Sequence, residues 1–222
     1  MAEIVRGRDL GLFAPNYDID PEKEEAYLAW LHGEHLPRTL AEGSFSAISH
    51  FTAVEAPKRF QLLELMPAYS DFHSAGRMEA AKKLPANVAD MMALRLGQVR
   101  NHHAEITRVD GPVASSRGPG VALGSVVYLL RFDIAAEGEP DFNAWLRREH
   151  MDAAAKMPGL LSFRRYLTVE GKPANLLLYE FESVDARRAG ALEEAWSTSW
   201  AQEVSASIAH SKVLYERIWH QG

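Results

Sequence analysis

The 222-residue chain has no cysteine, which excludes disulfides, thiolate metal sites and a cysteine nucleophile. It has no dense Lys/Arg tract and a net charge of −6 with histidine neutral, which argues against nucleic acid or an anionic membrane as partner. It has no long apolar run. Its most apolar stretch, Val121 to Leu130, falls far short of the ~20 residues a membrane helix requires. The start, Met1 to Arg6, is charged and carries no secretory hydrophobic core, so a soluble, cytoplasmic protein is expected. There is no G-x-S-x-G elbow, and no Lys-Ser/Thr follows Gly118-Pro119-Gly120 to make a phosphate loop. Nor is there an H-x-x-x-H or an Asp/His cluster, and His102-His103 on a strand would point to opposite faces, so neither a metal nor a cofactor is expected. What remains is ordinary globular composition, 47% apolar and 24% charged, long enough for between one and two domains.

The chain also repeats itself. Ala29-Trp30-Leu31-His32-Gly33-Glu34-His35-Leu36 matches Ala144-Trp145-Leu146-Arg147-Arg148-Glu149-His150-Met151 at a shift of 115, with five of eight positions identical. The same shift pairs Asp18-Ile19 with Asp133-Ile134 and Phe51 with Tyr166, while a shift of 116 pairs Leu62-Leu63-Glu64-Leu65 with Leu178-Tyr179-Glu180-Phe181. So long a period implies duplication of a whole domain. Residues 1–109 and 121–222 are the expected repeats, and the Gly/Pro/Ser-rich segment 110–120 is the expected linker, with no helix or central strand in it.

Each repeat reads as β-α-β-β-α-β. In the second, strands are expected at 126–132, 161–167, 176–181 and 213–219. One helix is expected from Pro140 to about Met157, and another from Val184 through Glu193, Trp196, Trp200, Val204 and Ile208. In the first, Pro15 weakens the first strand, the first helix runs from Asp20-Pro21 to about Leu40, and a helical region at 71–96 is interrupted by Pro85. The order is the ferredoxin-like motif, which covers one face of its sheet with helices and leaves the other bare. Two bare apolar faces packed together bury both. The expected fold is therefore α+β, two ferredoxin-like βαββαβ repeats packed sheet to sheet as a barrel within one chain, a monomeric pseudo-dimer or a homodimer of such chains.

On an α-helical wheel Trp30, Glu34, Leu31 and His35 share the apolar arc with Tyr27, and Trp145, Glu149, Leu146 and His150 share the equivalent arc. A carboxylate there costs several kcal/mol unless it is paired. Either Glu34/His35 and Glu149/His150 border a cavity where histidine handles a proton or a ligand, or the glutamates anchor loops and the histidines cap helix ends.

This W-x-x-x-E-H motif, twice over, resembles the EthD-like family of the dimeric α/β-barrel superfamily. In that family a comparable motif is followed by Pro-Gly and a strand with an Arg-Tyr-like pair, matched by Pro158-Gly159 and Arg165-Tyr166 in the second repeat. The first repeat departs, with Glu42-Gly43 and His50-Phe51. The resemblance implies a small-molecule-binding protein acting on an apolar or aromatic ligand, without a cofactor, in the manner of monooxygenases, isomerases or cyclases of the superfamily. Haem enzymes share the superfamily, which leaves His150 open as a haem ligand. The candidate catalytic residues are His150, His35, Glu149 and Glu34, and the candidate ligand-binding residues are Trp145, Trp30, Arg165, Tyr166 and His50. The fuller motif favours the second repeat, and there His150→Ala is expected to abolish binding at unchanged melting temperature. The alternative is a non-catalytic interaction protein whose barrel is filled.

Overall fold

The computed structural model describes residues 5–6, 10–55, 59–117 and 122–222; Gly118, Pro119 and Gly120 of the expected linker lie outside the described residues. The strands are β1 (Val5–Arg6), β2 (Gly11–Phe13), β3 (Asn16–Ile19), β4 (Ala47–Glu55), β5 (Phe60–Met66), β6 (Arg95–Val99) and β7 (His102–Asp110), then β8 (Val126–Ile134), β9 (Leu160–Glu170), β10 (Asn175–Phe181) and β11 (Ile208–Gln221). Their antiparallel pairings run β7-β9-β10-β8-β11-β4-β5, and β2 pairs with both β5 and β7, so eight of these strands close into a barrel. Pro15 interrupts the first strand as expected, and beyond it β3 leaves the ring to pair with β5 and β6. The architecture is α+β, a closed antiparallel barrel with helices on its outer face. No helix among the described residues is long and apolar enough to cross a membrane.

Side chains alternate along each strand, so one set fills the barrel and the other meets the helices. The inner set includes Leu12, Phe51, Leu63, Leu65, Val127, Leu129, Tyr166, Leu176, Leu178 and Tyr215, all buried. Inner charges pair with one another: the Arg164 guanidinium lies 2.8 Å from a Glu180 oxygen and 3.7 Å from Glu105. The barrel lumen is packed core.

Helix α1 spans 21–41. Asp20 caps it by accepting from the Glu22 amide, and Pro21 needs no partner for its missing N–H. Helices α2 (Ala75–Ala81) and α3 (Asn87–Ala93) flank Pro85. Helix α4 spans 139–154, followed by α5 (Val184–Arg188), α6 (Ala191–Ala195) and α7 (Ser199–Ala206). In α1 and α4 the repeated motif forms a π turn, at Leu31–His35 and Leu146–His150, where the amides of Leu36 and Met151 bond back five residues.

Three expectations need correcting. The single helix expected from Val184 to Ile208 is three short ones, broken at Gly190 (φ 92°) and at Thr198, which caps α7, and Ile208 already belongs to β11. The expected linker contains a short 3₁₀ turn at Ala114–Ser116. The shift of 116 for the third strand is one residue too long. Strand pairing matches His50↔Leu62 with Arg165↔Leu177, which is a shift of 115 throughout. A slip of one residue moves a side chain to the other face. Glu64 therefore corresponds in place to Tyr179, facing the helices, whereas Glu180 faces the barrel.

Candidate functional site

The π turn decides where the motif points. It holds one residue more than an α turn, so the wheel lags beyond it. Glu34, expected on the apolar arc, is exposed. Glu149 is half-buried and accepts from the Trp145 indole N–H at 3.2 Å and from the Thr198 hydroxyl, tying α4 to the start of α7. The same turn brings residues five apart together: His35 stacks on Trp30 at 4.8 Å between ring centres, and His150 lies 4.6 Å from Trp145.

The two histidines then meet different surroundings. His150 is fully buried, its Nε2 2.7 Å from the Tyr179 hydroxyl, with Phe163 and Trp196 rings 5.3 Å away. Burial pushes its pKa down to about 3, so it is neutral and enclosed. Trp145 belongs to the same packed cluster, as does Trp196. His35 is only half-buried and lines a cavity of about 580 Å³ between α1, α2, α3 and the outer face of the sheet. That volume lies within the ~300–1,000 Å³ range of ligand sites. Arg38 donates to its Nδ1 at 2.8 Å, which leaves Nε2 carrying the hydrogen. Burial, with Arg38 and Arg95 adding to it, holds its pKa down at about 4, so at neutral pH His35 is a hydrogen-bond donor.

The floor of the cavity is Glu64 of β5, which is 6% exposed. Burial raises its carboxyl to about 7, against the opposing pull of Arg95, Arg77 and Arg100. All three arginines line the cavity, and among the described residues none makes an ion pair with Glu64. A carboxyl poised near neutrality is what general acid–base chemistry requires. Phe13, Phe45, Val88 and Met92 supply apolar wall. Glu64 is absent from the sequence candidates, which come from the W-x-x-x-E-H motif and the strand that follows it. The available signals were Pro85, which breaks the covering helix and lines the cavity, and a carboxylate within the mostly apolar strand β5.

The remaining candidates are dispersed. Trp30 is buried against Tyr27, 5.8 Å between ring centres. His50 is buried beneath α1, its Nδ1 2.8 Å from His32 Nε2 and its Nε2 3.1 Å from the Tyr17 hydroxyl. Arg165 reaches α4 through Asn143 and bonds Asn175 at 3.3 Å. Tyr166, its neighbour on β9, faces the barrel core and not a pocket. His102 and His103 part as strand geometry requires: the first stacks on Phe13 at 4.5 Å, while the second lies inward, 3.1 Å from the Thr168 hydroxyl.

No family model matches the chain, and no curated protein matches it significantly in sequence. Its likenesses are structural. An anthrone oxidase-like protein superposes with a TM-score of 0.64 at 11% identity, over 98% of this chain and 95% of that one. A proposed monooxygenase from Lactobacillus acidophilus NCFM gives 0.58 at 9%, over 96% and 95%. A mutant chlorite dismutase from Candidatus Nitrospira defluvii gives 0.59 at 10%, over 95% and 91%. The chain has the dimeric α/β-barrel fold. At these identities the likeness is one of fold. The haem-ligand option for His150 does not fit: the imidazole is fully buried, with Nε2 on the Tyr179 hydroxyl and the Trp145, Phe163 and Trp196 rings packed around it, which leaves no open approach to the ring.

Proposed function

We propose that the protein is a cofactor-independent enzyme acting on an aromatic small molecule, and that its chemistry starts with proton abstraction in the cavity over β5. The observation that carries this reading is Glu64, a buried carboxyl held near neutrality in a ligand-sized space. Monooxygenase, isomerase and cyclase types share one opening step, removal of a proton from an activated carbon or phenol. Glu64 takes that proton. The developing oxyanion is stabilised by arginine N–H groups and by the Nε2–H of His35. Among the superposed proteins, the anthrone oxidase-like one suggests a substrate with which to look.

The test is oxygen uptake with anthrone. Glu64 removes a methylene proton, and the carbanion takes up one O₂. Loss of water then leaves the quinone, so each anthrone consumes one O₂ and releases one H₂O. Glu64→Gln is expected to lower the rate roughly a hundredfold. Retention of the rate in that variant counts against the reading.

We also propose that residues 1–109 and 121–222 are repeats of one ferredoxin-like unit joined by 110–120. The common shift of 115, shared by the motif helices and by two strand pairings, supports it. One repeat then keeps the cavity, and the other has filled it with Tyr179, Trp196 and Leu192.

A further inference from the structure

Resting on that reading of the cavity, we infer that its ligand is an aromatic acid, bound by a carboxylate against Arg77 and Arg95. Both guanidinium groups are fixed before any ligand arrives. Arg77 lies 4.0 Å from the Phe72 ring centre and 4.6 Å from that of Phe45. Arg95 lies 4.2 Å from the Tyr17 ring centre and donates through Nε to the Tyr27 hydroxyl at 2.6 Å. Yet Nη1 of Arg77 and Nη2 of Arg95 are buried with no hydrogen-bond partner. Buried charged donors without acceptors are costly, and a planar carboxylate is the acceptor that suits a guanidinium fork.

Charge on the walls points the same way. Arg77, Arg95 and Arg100 face Glu64 and Glu42 across the cavity. Glu42 already lies 3.9 Å from Arg38, Glu64 is near half protonation at neutral pH, and His35 is neutral. The lining is therefore positive, while Phe45, Val88, Leu84 and Met92 suit an apolar ring system. An anionic head with an aromatic body satisfies both halves. The carboxylate is distinct from the position that gives its proton to Glu64.

The experiment compares 1-naphthoate with 1-naphthamide, probes of the same shape that differ in charge, by isothermal titration on the full chain. The acid is expected to bind roughly tenfold to a hundredfold more tightly than the amide. Arg77→Gln and Arg95→Gln are each expected to shrink that ratio, and Arg77→Lys to preserve part of it, with melting temperatures verifying that each variant is folded. Glu64→Gln is expected to keep the preference for the acid, so loss of turnover in that variant and loss of charge discrimination here are separate results. Equal binding of the two probes, binding of neither, or discrimination that survives both arginine-to-glutamine changes overturns the inference.

Discussion

Tyr179 places its hydroxyl 2.7 Å from His150, and Glu64, its counterpart in strand register, lines the cavity that His35 borders. Both residues stand on the helix-facing side of a third strand, 115 positions apart. The tyrosine closes its space with a neutral hydrogen bond. The glutamate leaves its space open.

Of the two roles the sequence left open for His150, proton handling or structure, its full burial beside Tyr179 favours the structural one. His150→Ala is predicted to cost about 2–4 kcal/mol, the range for emptying a packed aromatic-lined site, and to leave 1-naphthoate affinity within twofold. Tyr179→Phe strands the histidine nitrogen and is predicted to cost about 1–3 kcal/mol. Urea denaturation measures both; retained stability with lost binding would restore His150 to the functional site.

Glu64 makes stability depend on pH in a recognisable direction. Its folded pKa of about 7 lies above the ordinary 4.5, so the native state holds a proton that the unfolded chain gives up between these values. Its contribution therefore falls as pH rises through that window. Glu64→Gln is predicted to match wild type near pH 4.5 and to exceed it above pH 7 by on the order of 2–3 kcal/mol. A constant difference across the range contradicts this.

The buried histidines pull the other way. Burial depresses His103 and His150 to about 3, and His50 well below its usual range. The unfolded chain takes up protons below about 6.5 that these sites refuse. Their stabilising contribution is complete above that pH and is lost progressively on acidification, by up to about 1.4 kcal/mol per pH unit for each histidine. Half-buried His35 adds less, because solvent screens it. Denaturation midpoints are predicted to fall steeply from pH 6.5 to 4.5; a flat profile there would contradict neutral buried histidines.

Blocking the cavity separates it from the rest of the molecule. Ala89 lines it from an exposed position on α3, so a larger side chain there enters the opening without disturbing the core. Ala89→Trp is predicted to abolish 1-naphthoate binding while shifting stability by less than about 0.5 kcal/mol. Undiminished binding in calorimetry places the ligand elsewhere.

Much of the fold was legible because its signals are periodic. The β-branched and aromatic strand from Val126 to Phe132, the Asp20-Pro21 helix start and the break at Pro15 all appear where the residues indicate. The site was legible only in part. An α-helical wheel cannot foresee a π turn, whose cause is a change of hydrogen-bond partner at Leu36 and Met151, and so it misplaced Glu34. Identity matching favoured Glu64 with Glu180, because like residues score together even when they face opposite sides of a sheet. Which half stays open depends on how Trp196 and Leu192 fill one space while Pro85 parts the helices over the other, a tertiary outcome that no local pattern carries.

The most direct test needs no substrate: infrared difference titration of the carboxyl stretch from pH 5 to 8 in wild type, Glu64→Gln and Tyr179→Phe. One buried carboxyl band titrating with a midpoint of about 7 is predicted in wild type and Tyr179→Phe, and its loss in Glu64→Gln. Superimposable titrations of wild type and Glu64→Gln would contradict the account, because Glu64 would then not be exchanging its proton at neutral pH.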